Sequence, residues 1–277
     1  MLNNFYIEEH VKYALKEDIG FGDITTENLA GKSDILFASL VTRVDGILCG
    51  SEVFKLVYNI LSPDVDVKFY FEDGDKINKG DKIADISGPA RAILMGERVS
   101  LNYVQRMSGI ATETNKYQTA IGDLPVKIVD TRKTTPNFRI FEKYAVKTGG
   151  GALHRFNLSD CAMVKDNHIK FAGSITNAVK QLRKNISHAH KIEVECDTLE
   201  QVQEALNAGA DIIMLDNMPC EEMKRACKLI DKKAIIEASG NVTLDSVREI
   251  AECGVDIISS SAIVAKAPTL DLGLDIF

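Results

Sequence analysis

Between Asp130 and Arg155 the chain reads DTRKTTPNFRIFEKYAVKTGGGALHR, with Arg132, Lys133 and Arg139 toward one end and His154-Arg155 at the other. Guanidinium and ammonium groups gathered around turn residues suit carboxylates and phosphates. Lys165, in VKDNHI, extends the cationic set. Glu195 and Asp216 each lie at the end of a short apolar run. Their carboxylates could hold Mg²⁺ through water or accept hydrogen bonds from ribose hydroxyls. The turn SGNVT (239–243) runs toward a helix, and its backbone N–H groups offer a phosphate cradle. Ser259, Ser260 and Ser261 close the last apolar run in the same manner. A pair of substrates carrying phosphates, a ribose and carboxylates would use every part of this set.

Charge is distributed unevenly. From Asp130 to Lys170 there are eight Lys or Arg against four Asp or Glu, a balance of +4, whereas the whole chain carries −7. The remainder therefore carries −11. An acidic body with one basic segment argues against nucleic-acid binding, which needs a broad positive surface. It fits a focused pocket for a small polyanion. Lys143 and Lys147, four residues apart, fit a solvated helix face as well as they fit the cationic set. No apolar run approaches eighteen residues, so no membrane span is expected, and the acidic, amphipathic start is unlike a signal peptide. Six cysteines without a CxxC pair imply reduced, buried thiols in a cytoplasmic protein. HAH at 188–190 reads as a surface turn, not a zinc site.

The elements that must position these residues repeat one pattern. Short β-branched runs end near 130, 165, 196, 216, 239 and 261, with helical stretches between them. TLEQVQEALNAGA predicts a helix from a Thr198 cap to Gly209, and TLDSVREIAECGVD predicts another from Thr243 to Gly254. Successive βα units imply a parallel sheet with helices outside, either a barrel or a doubly wound sheet. Because run after run ends in an ionisable or hydroxyl residue, the barrel is favoured: its strands open into one shared mouth. Before residue 110 the texture changes to a helix (about 4–17), mixed strands and the turn-rich EDGDKINKGDKIADISG (72–88). That segment resembles biotinyl and lipoyl carrier hairpins but presents no attachment lysine, so a structural sheet is expected. A long amphipathic helix follows, with Ile93, Leu94, Val99, Leu101, Val104 and Met107 on its apolar face and Arg98 and Arg106 read as surface groups.

The motifs DTRKTTP, EKYAVKTGGG, HR, VKDNHI, IEVE, LDN and SGNVTL, in this order, resemble quinolinate phosphoribosyltransferase (the decarboxylating nicotinate-nucleotide pyrophosphorylase family) over nearly the whole chain. The resemblance implies an N-terminal α/β sandwich domain (1–108), an open, TIM-like α/β barrel (109–265) and a C-terminal tail (266–277) returning to the first domain. It further implies quinolinate and phosphoribosyl pyrophosphate as substrates, Mg²⁺ as cofactor, and a homodimer or larger assembly. Residue by residue, Arg132, His154 and Arg155 would bind the quinolinate carboxylates, with Arg98 reaching them from the neighbouring subunit. Lys133 and Lys165 would neutralise phosphates and the departing pyrophosphate. Glu195 and Asp216 would serve ribose and magnesium, the latter through water. Ser239, Gly240, Ser260 and Ser261 would hold the 5′-phosphate. Four positions depart from the family pattern: Asn137, Asn157 and Ser261 stand for glycines, and Leu153 stands for the Asn before His-Arg. Two rivals share parts of the pattern, a paralogous transferase associated with molybdenum transport and a non-catalytic sugar-phosphate sensor. DTRKTTP and KDNHI favour the quinolinate family over the paralogue. The joint presence of Lys133, Lys165, Glu195 and Asp216 speaks against a sensor.

Overall fold

The computed structural model describes residues 4–277. Its first five strands are β1 (Ile35–Thr42), β2 (Gly46–Ile47), β3 (Asp66–Phe69), β4 (Lys76–Ile77) and β5 (Lys82–Pro89). Six more follow: β6 (Lys127–Val129), β7 (Ala162–Val164), β8 (Ile192–Cys196), β9 (Ile212–Asp216), β10 (Ile235–Ser239) and β11 (Ile257–Ser259). The last is β12 (Leu272–Ile276). The described residues divide into two compact units. One comprises 4–115, Ile140–Gly150 and Ala267–Phe277, and the other Lys116–Arg139 and Gly151–Lys266.

The first unit is built on an antiparallel sheet in the order β12-β1-β5-β3. The C-terminal strand enters it by pairing Ala38 with Ile276 through Thr42 with Leu272. Helix Ser51–Leu61 and the first part of helix Ala90–Ile121 bury apolar side chains with the sheet, and Leu40, Phe54, Tyr58, Ile83, Ile86, Ile93 and Val104 belong to the core. The turn-rich segment is structural. Asp75 and Asp81 accept backbone N–H groups of Glu72 and Asn78, both at 2.8 Å, and Gly74 and Gly80 take φ of +103° and +92°. Two surface assignments fail in this unit. Lys143 is 1% exposed, because the buried face of helix Arg139–Thr148 includes it beside Phe141 and Val146. Arg106 is held by fully buried Glu142 at 3.0 Å and donates to the Ala267 carbonyl at 2.9 Å. A buried carboxylate demands such a partner.

In the second unit all strand pairs are parallel, in the order β6-β11-β10-β9-β8-β7. A doubly wound sheet reverses its order partway. Here the succession from β7 to β11 never reverses, and the first strand, β6, joins the last. That is a barrel left open between β6 and β7, where a single bridge pairs Val129 with Ala152. The helix after β8 is Leu199–Ala208, with the Thr198 hydroxyl accepting from Gln201 N–H at 3.3 Å and Gly209 ending it at φ +79°. The other expected helix is shorter, Val247–Ala251. Thr243 and Ser246 bond each other through hydroxyls and N–H groups, holding 243–246 as a turn.

Candidate active site

Strand register decides which side chains enter the barrel. Neighbours across a parallel pair share a face, and every second residue along a strand returns to it. Pairing Met163 with Glu193, Glu195 with Met214, Met214 with Glu237 and Asp216 with Ser239 therefore sets all of these on one face. Ile192, Val194 and Cys196, on the other face, are buried.

His154 completes a buried group on that inner face. Its Nε2 lies 3.5 Å from Glu193 Oε1 and 3.4 Å from Glu237 Oε1, and both glutamates are nearly inaccessible. Neither Oε1 atom has another polar partner among the described residues, so the imidazole is the group both carboxylates face. The ring is fixed from the other side. Arg155 N–H donates to Nδ1 at 2.7 Å, and His154 N–H donates to Asp130 Oδ1 at 2.9 Å. Burial opposes the charged imidazole, but the hydrogen bonds and charges of Glu193 and Glu237 outweigh it and push His154 up to about 10. Glu193 is also raised, first by burial. The three groups keep a proton that separate groups would lose. With the Nδ1 lone pair accepting from Arg155 N–H, the ring carries its own hydrogen on Nε2, and the additional proton is held on the glutamate side. The same contact argues against a metal ion here, although the three residues converge closely enough to hold one: Nε2 carries the hydrogen and has no lone pair to give.

The open seam between β6 and β7 carries the cations. Arg132 and Lys133 are exposed and have no side-chain hydrogen bond or ion pair among the described residues. Arg132 is held below its usual value by burial and by the charges of Arg155 and Arg139. Arg132 thus lies close enough to the other two guanidiniums to be disfavoured by their charge. A cavity of about 510 Å³ is lined by Arg132, Arg139, Asn157, Leu158 and Ser159. Arg155 is aimed by Nη1 donating to the Cys161 carbonyl at 3.0 Å. Arg139, unassigned from sequence, donates to Thr134 Oγ1 and the Phe156 carbonyl, both at 3.0 Å, and so ties the Arg132 loop to the loop after Arg155.

At the end of β7, Lys165 Nζ donates to Glu195 Oε2 on β8. Asp216 is raised, first by burial and then by the charge of Glu195. Asp216 Oδ2 accepts from Asn217 at 2.9 Å. Gly240, at φ +93°, and Asn241, at +51°, form the turn after Ser239. Ser260 is buried, its Oγ accepting from Ala262 N–H at 3.2 Å, and Ser261 stands at φ −74° before a short helix. Of the residues expected to bind substrate, twelve positions in all, Arg98 alone belongs to the first unit, exposed on helix 90–121. Glu193, Glu237 and Asn217 were missed. An acid in the middle of an apolar strand, as in IEVEC and IIEAS, is the signal that could have found the first two.

The departures resolve one by one. Asn137 takes φ +63°, a left-handed position where asparagine can replace glycine. Asn157 does not share that conformation, and its Oδ1 accepts from Ser159 N–H at 2.8 Å. Leu153 is exposed, and nothing in the structure explains its presence. HAH lies in a turn, with His188 exposed. All six cysteines are free thiols, but only Cys49, Cys196 and Cys253 are buried. No helix among the described residues is long and apolar enough to cross a membrane.

An α/β barrel whose mouth gathers cations, two carboxylates and a glycine turn defines a class of enzymes acting on phosphorylated polyanions. The narrower assignment comes from comparison. The chain matches the N-terminal domain of quinolinate phosphoribosyl transferase over residues 23–108 and its C-terminal domain over 110–275, and it belongs to that family. It is 42% identical over 275 residues to a probable nicotinate-nucleotide pyrophosphorylase [carboxylating] of Bacillus subtilis, covering 99% of this chain and 95% of that protein. A protein of the same name from Synechocystis is 44% identical, over 98% of this chain and 92% of its own. The structure of the nicotinate-nucleotide pyrophosphorylase from Francisella tularensis superposes with a TM-score of 0.96 at 38% identity, covering 100% of this chain and 98% of that one.

Proposed function

We infer that this chain transfers phosphoribosyl from phosphoribosyl pyrophosphate to quinolinate and releases pyrophosphate and CO₂, giving nicotinate mononucleotide for NAD biosynthesis. The observation that carries the reading is the gathering of Arg132, Arg139 and Arg155 at the open seam, where Arg132 and Arg139 line one cavity and Arg132 lies within the charge of the other two, a set suited to a ligand with more than one negative charge. Quinolinate has two adjacent carboxylates. In the first step its ring nitrogen forms a bond to the ribose anomeric carbon while the bond to pyrophosphate breaks, the electron pair leaving with pyrophosphate. Lys133 and Lys165 stabilise that departing charge. Arg132 and Arg155 hold the ring nitrogen in line. The carboxylate next to the now cationic nitrogen then leaves as CO₂, and the electron pair left on the ring carbon takes a proton.

Glu195 and Asp216 suit Mg²⁺. They are hard oxygen donors, and Asp216 is raised partly by the charge of Glu195, a repulsion that a cation relieves. When bound, the ion would supply further neutralisation of pyrophosphate. Ser239, Gly240, Ser260 and Ser261 line the turns offered to the 5′-phosphate. The protein works in the cytoplasm as a homodimer or larger assembly, each site receiving Arg98 from the neighbouring subunit.

Purified protein is assayed by mass spectrometry with phosphoribosyl pyrophosphate, Mg²⁺ and a panel of pyridine acids. Quinolinate-dependent CO₂ and pyrophosphate are expected, with little turnover of nicotinate, because a site for two carboxylates leaves cations unpaired when one is absent. Equal turnover of nicotinate would reject the reading. Arg98 is tested by mixing nearly inactive Arg98→Ala and Lys133→Ala proteins. Random exchange between symmetric dimers should restore about a quarter of wild-type activity, since half the sites of each mixed dimer receive neither lesion. No recovery despite exchange of labelled subunits would remove Arg98 from the site.

A further inference from the structure

Asn217 follows Asp216 at the end of β9 and takes φ +54°, a left-handed conformation that few residues with a side chain adopt. Both ends of its carboxamide are used. Nδ2 donates to Asp216 Oδ2 at 2.9 Å, while Oδ1 accepts from Asn241 Nδ2 at 2.9 Å. The amide orientation is set by chemistry, since the carboxylate can only accept and the Asn241 amino group can only donate. The backbone joins in, with Asn217 N–H donating to the Ser239 carbonyl at 2.9 Å. Gly240 lies directly against the carboxamide. A Cβ built there would stand 2.3 Å from Asn217 Oδ1, and the backbone is left-handed as well. The end of β9 and the turn after β10 are thus joined through one side chain.

Resting on the proposed transferase reading, we propose that Asn217 is a positioning residue which locks the ribose-side carboxylate Asp216 to the Ser239–Gly240–Asn241 phosphate turn. The two grips on phosphoribosyl pyrophosphate are then set as one unit. Few side chains meet the requirement. It takes a donor at one end, an acceptor at the other, a short stem and tolerance of positive φ, which asparagine combines. Aspartate keeps the shape and loses the donor, setting a second negative charge against Asp216. Glycine keeps the backbone conformation and loses both hydrogen bonds.

The test is steady-state kinetics of Asn217→Asp and Asn217→Gly, varying each substrate in turn, with thermal melting run alongside. The KM for phosphoribosyl pyrophosphate should rise about tenfold or more in both variants, while the KM for quinolinate moves less than about twofold. Asn241→Gly alone should raise the same KM, yet add little when combined with Asn217→Gly, because its partner is already gone. An unchanged KM for phosphoribosyl pyrophosphate in both variants would overturn the proposal, as would equal rises for the two substrates, which signal general disorder of the site. Wild-type protein that neither binds nor turns over phosphoribosyl pyrophosphate would instead sink the transferase reading itself.

Discussion

At the end of β6 Arg132 and Lys133 project without side-chain partners among the described residues, whereas from the end of β7 through β10 the polar groups are already joined. There Lys165 meets Glu195, and Asp216, Asn217 and Asn241 form a continuous hydrogen-bonded line. On the cationic side Arg132 is disfavoured by its neighbours' charge, whereas on the acidic side the polar groups are held by internal hydrogen bonds, with the Glu195–Asp216 repulsion left for a cation to relieve. The contrast teaches that a binding half can be strained until its ligand arrives while the positioning half is prebuilt. Under the proposed function, the cationic half would select a dicarboxylate and the prebuilt half would keep the reacting ribose in place.

The largest effect expected from breaking this contrast is at Arg132. Arg132→Ala should cut kcat/KM for quinolinate by about a thousandfold, chiefly through KM, because a charge-assisted contact to a carboxylate is lost. Lys133→Ala should act mainly on kcat, since pyrophosphate charge develops only as the bond breaks. Thermal melts of unliganded protein sharpen the comparison. Arg132→Ala removes a repelling charge and should leave Tm unchanged or higher. Lys165→Ala strands Glu195 and should lower it, by about 1 kcal/mol of stability for a partly exposed pair. Equal losses of Tm would show that the two sides are built alike.

A smaller effect concerns the buried group beneath the mouth. Glu193 and Glu237 push the group centred on His154 up to about 10, above the unfolded histidine value, so its contribution to stability is whole below about pH 6.5 and is lost as pH rises through about 10. Glu193, also raised, acts in the same direction. Wild-type stability should therefore fall between pH 7 and 10 by on the order of 2 kcal/mol from this source. Glu237→Gln keeps the shape, removes one charge and should move the fall to lower pH. Imidazole titration followed by NMR checks the shift, and an unchanged titration would show that Glu237 does not hold the proton.

Much of the barrel was legible because strands with β-branched runs and polar ends announce themselves: all six observed strands fall within the stretches read from sequence. The Thr198 cap and Gly209 stop were legible for the same local reason. Thr243 misled because a threonine before an apolar run also fits a turn when Ser246 can bond it back. Lys143 and Arg106 misled because helical spacing tells which residues share a face, not whether that face is buried. Glu193 and Glu237 escaped because their role depends on His154, which arrives from a different strand connection. Local chemistry is written along the chain, but the partner of a buried acid is a property of topology.

The smallest effect is expected at Ser261, where the family pattern has glycine. A glycine is indispensable when φ is positive or when a Cβ would collide. Ser261 has φ −74° and ψ −18°, an ordinary right-handed conformation, and its carbonyl accepts from Ala265 N–H at 2.7 Å. The turn therefore keeps its shape with a side chain present, and the hydroxyl adds one donor near the proposed 5′-phosphate contact. Glycine there frees the backbone of the unfolded chain and removes that donor, two modest effects. Ser261→Gly should change the KM for phosphoribosyl pyrophosphate by less than about tenfold, or about 1.4 kcal/mol, with kcat nearly constant. A hundredfold loss would mean that the serine hydroxyl holds the phosphate directly and that this turn belongs with the prebuilt half of the site.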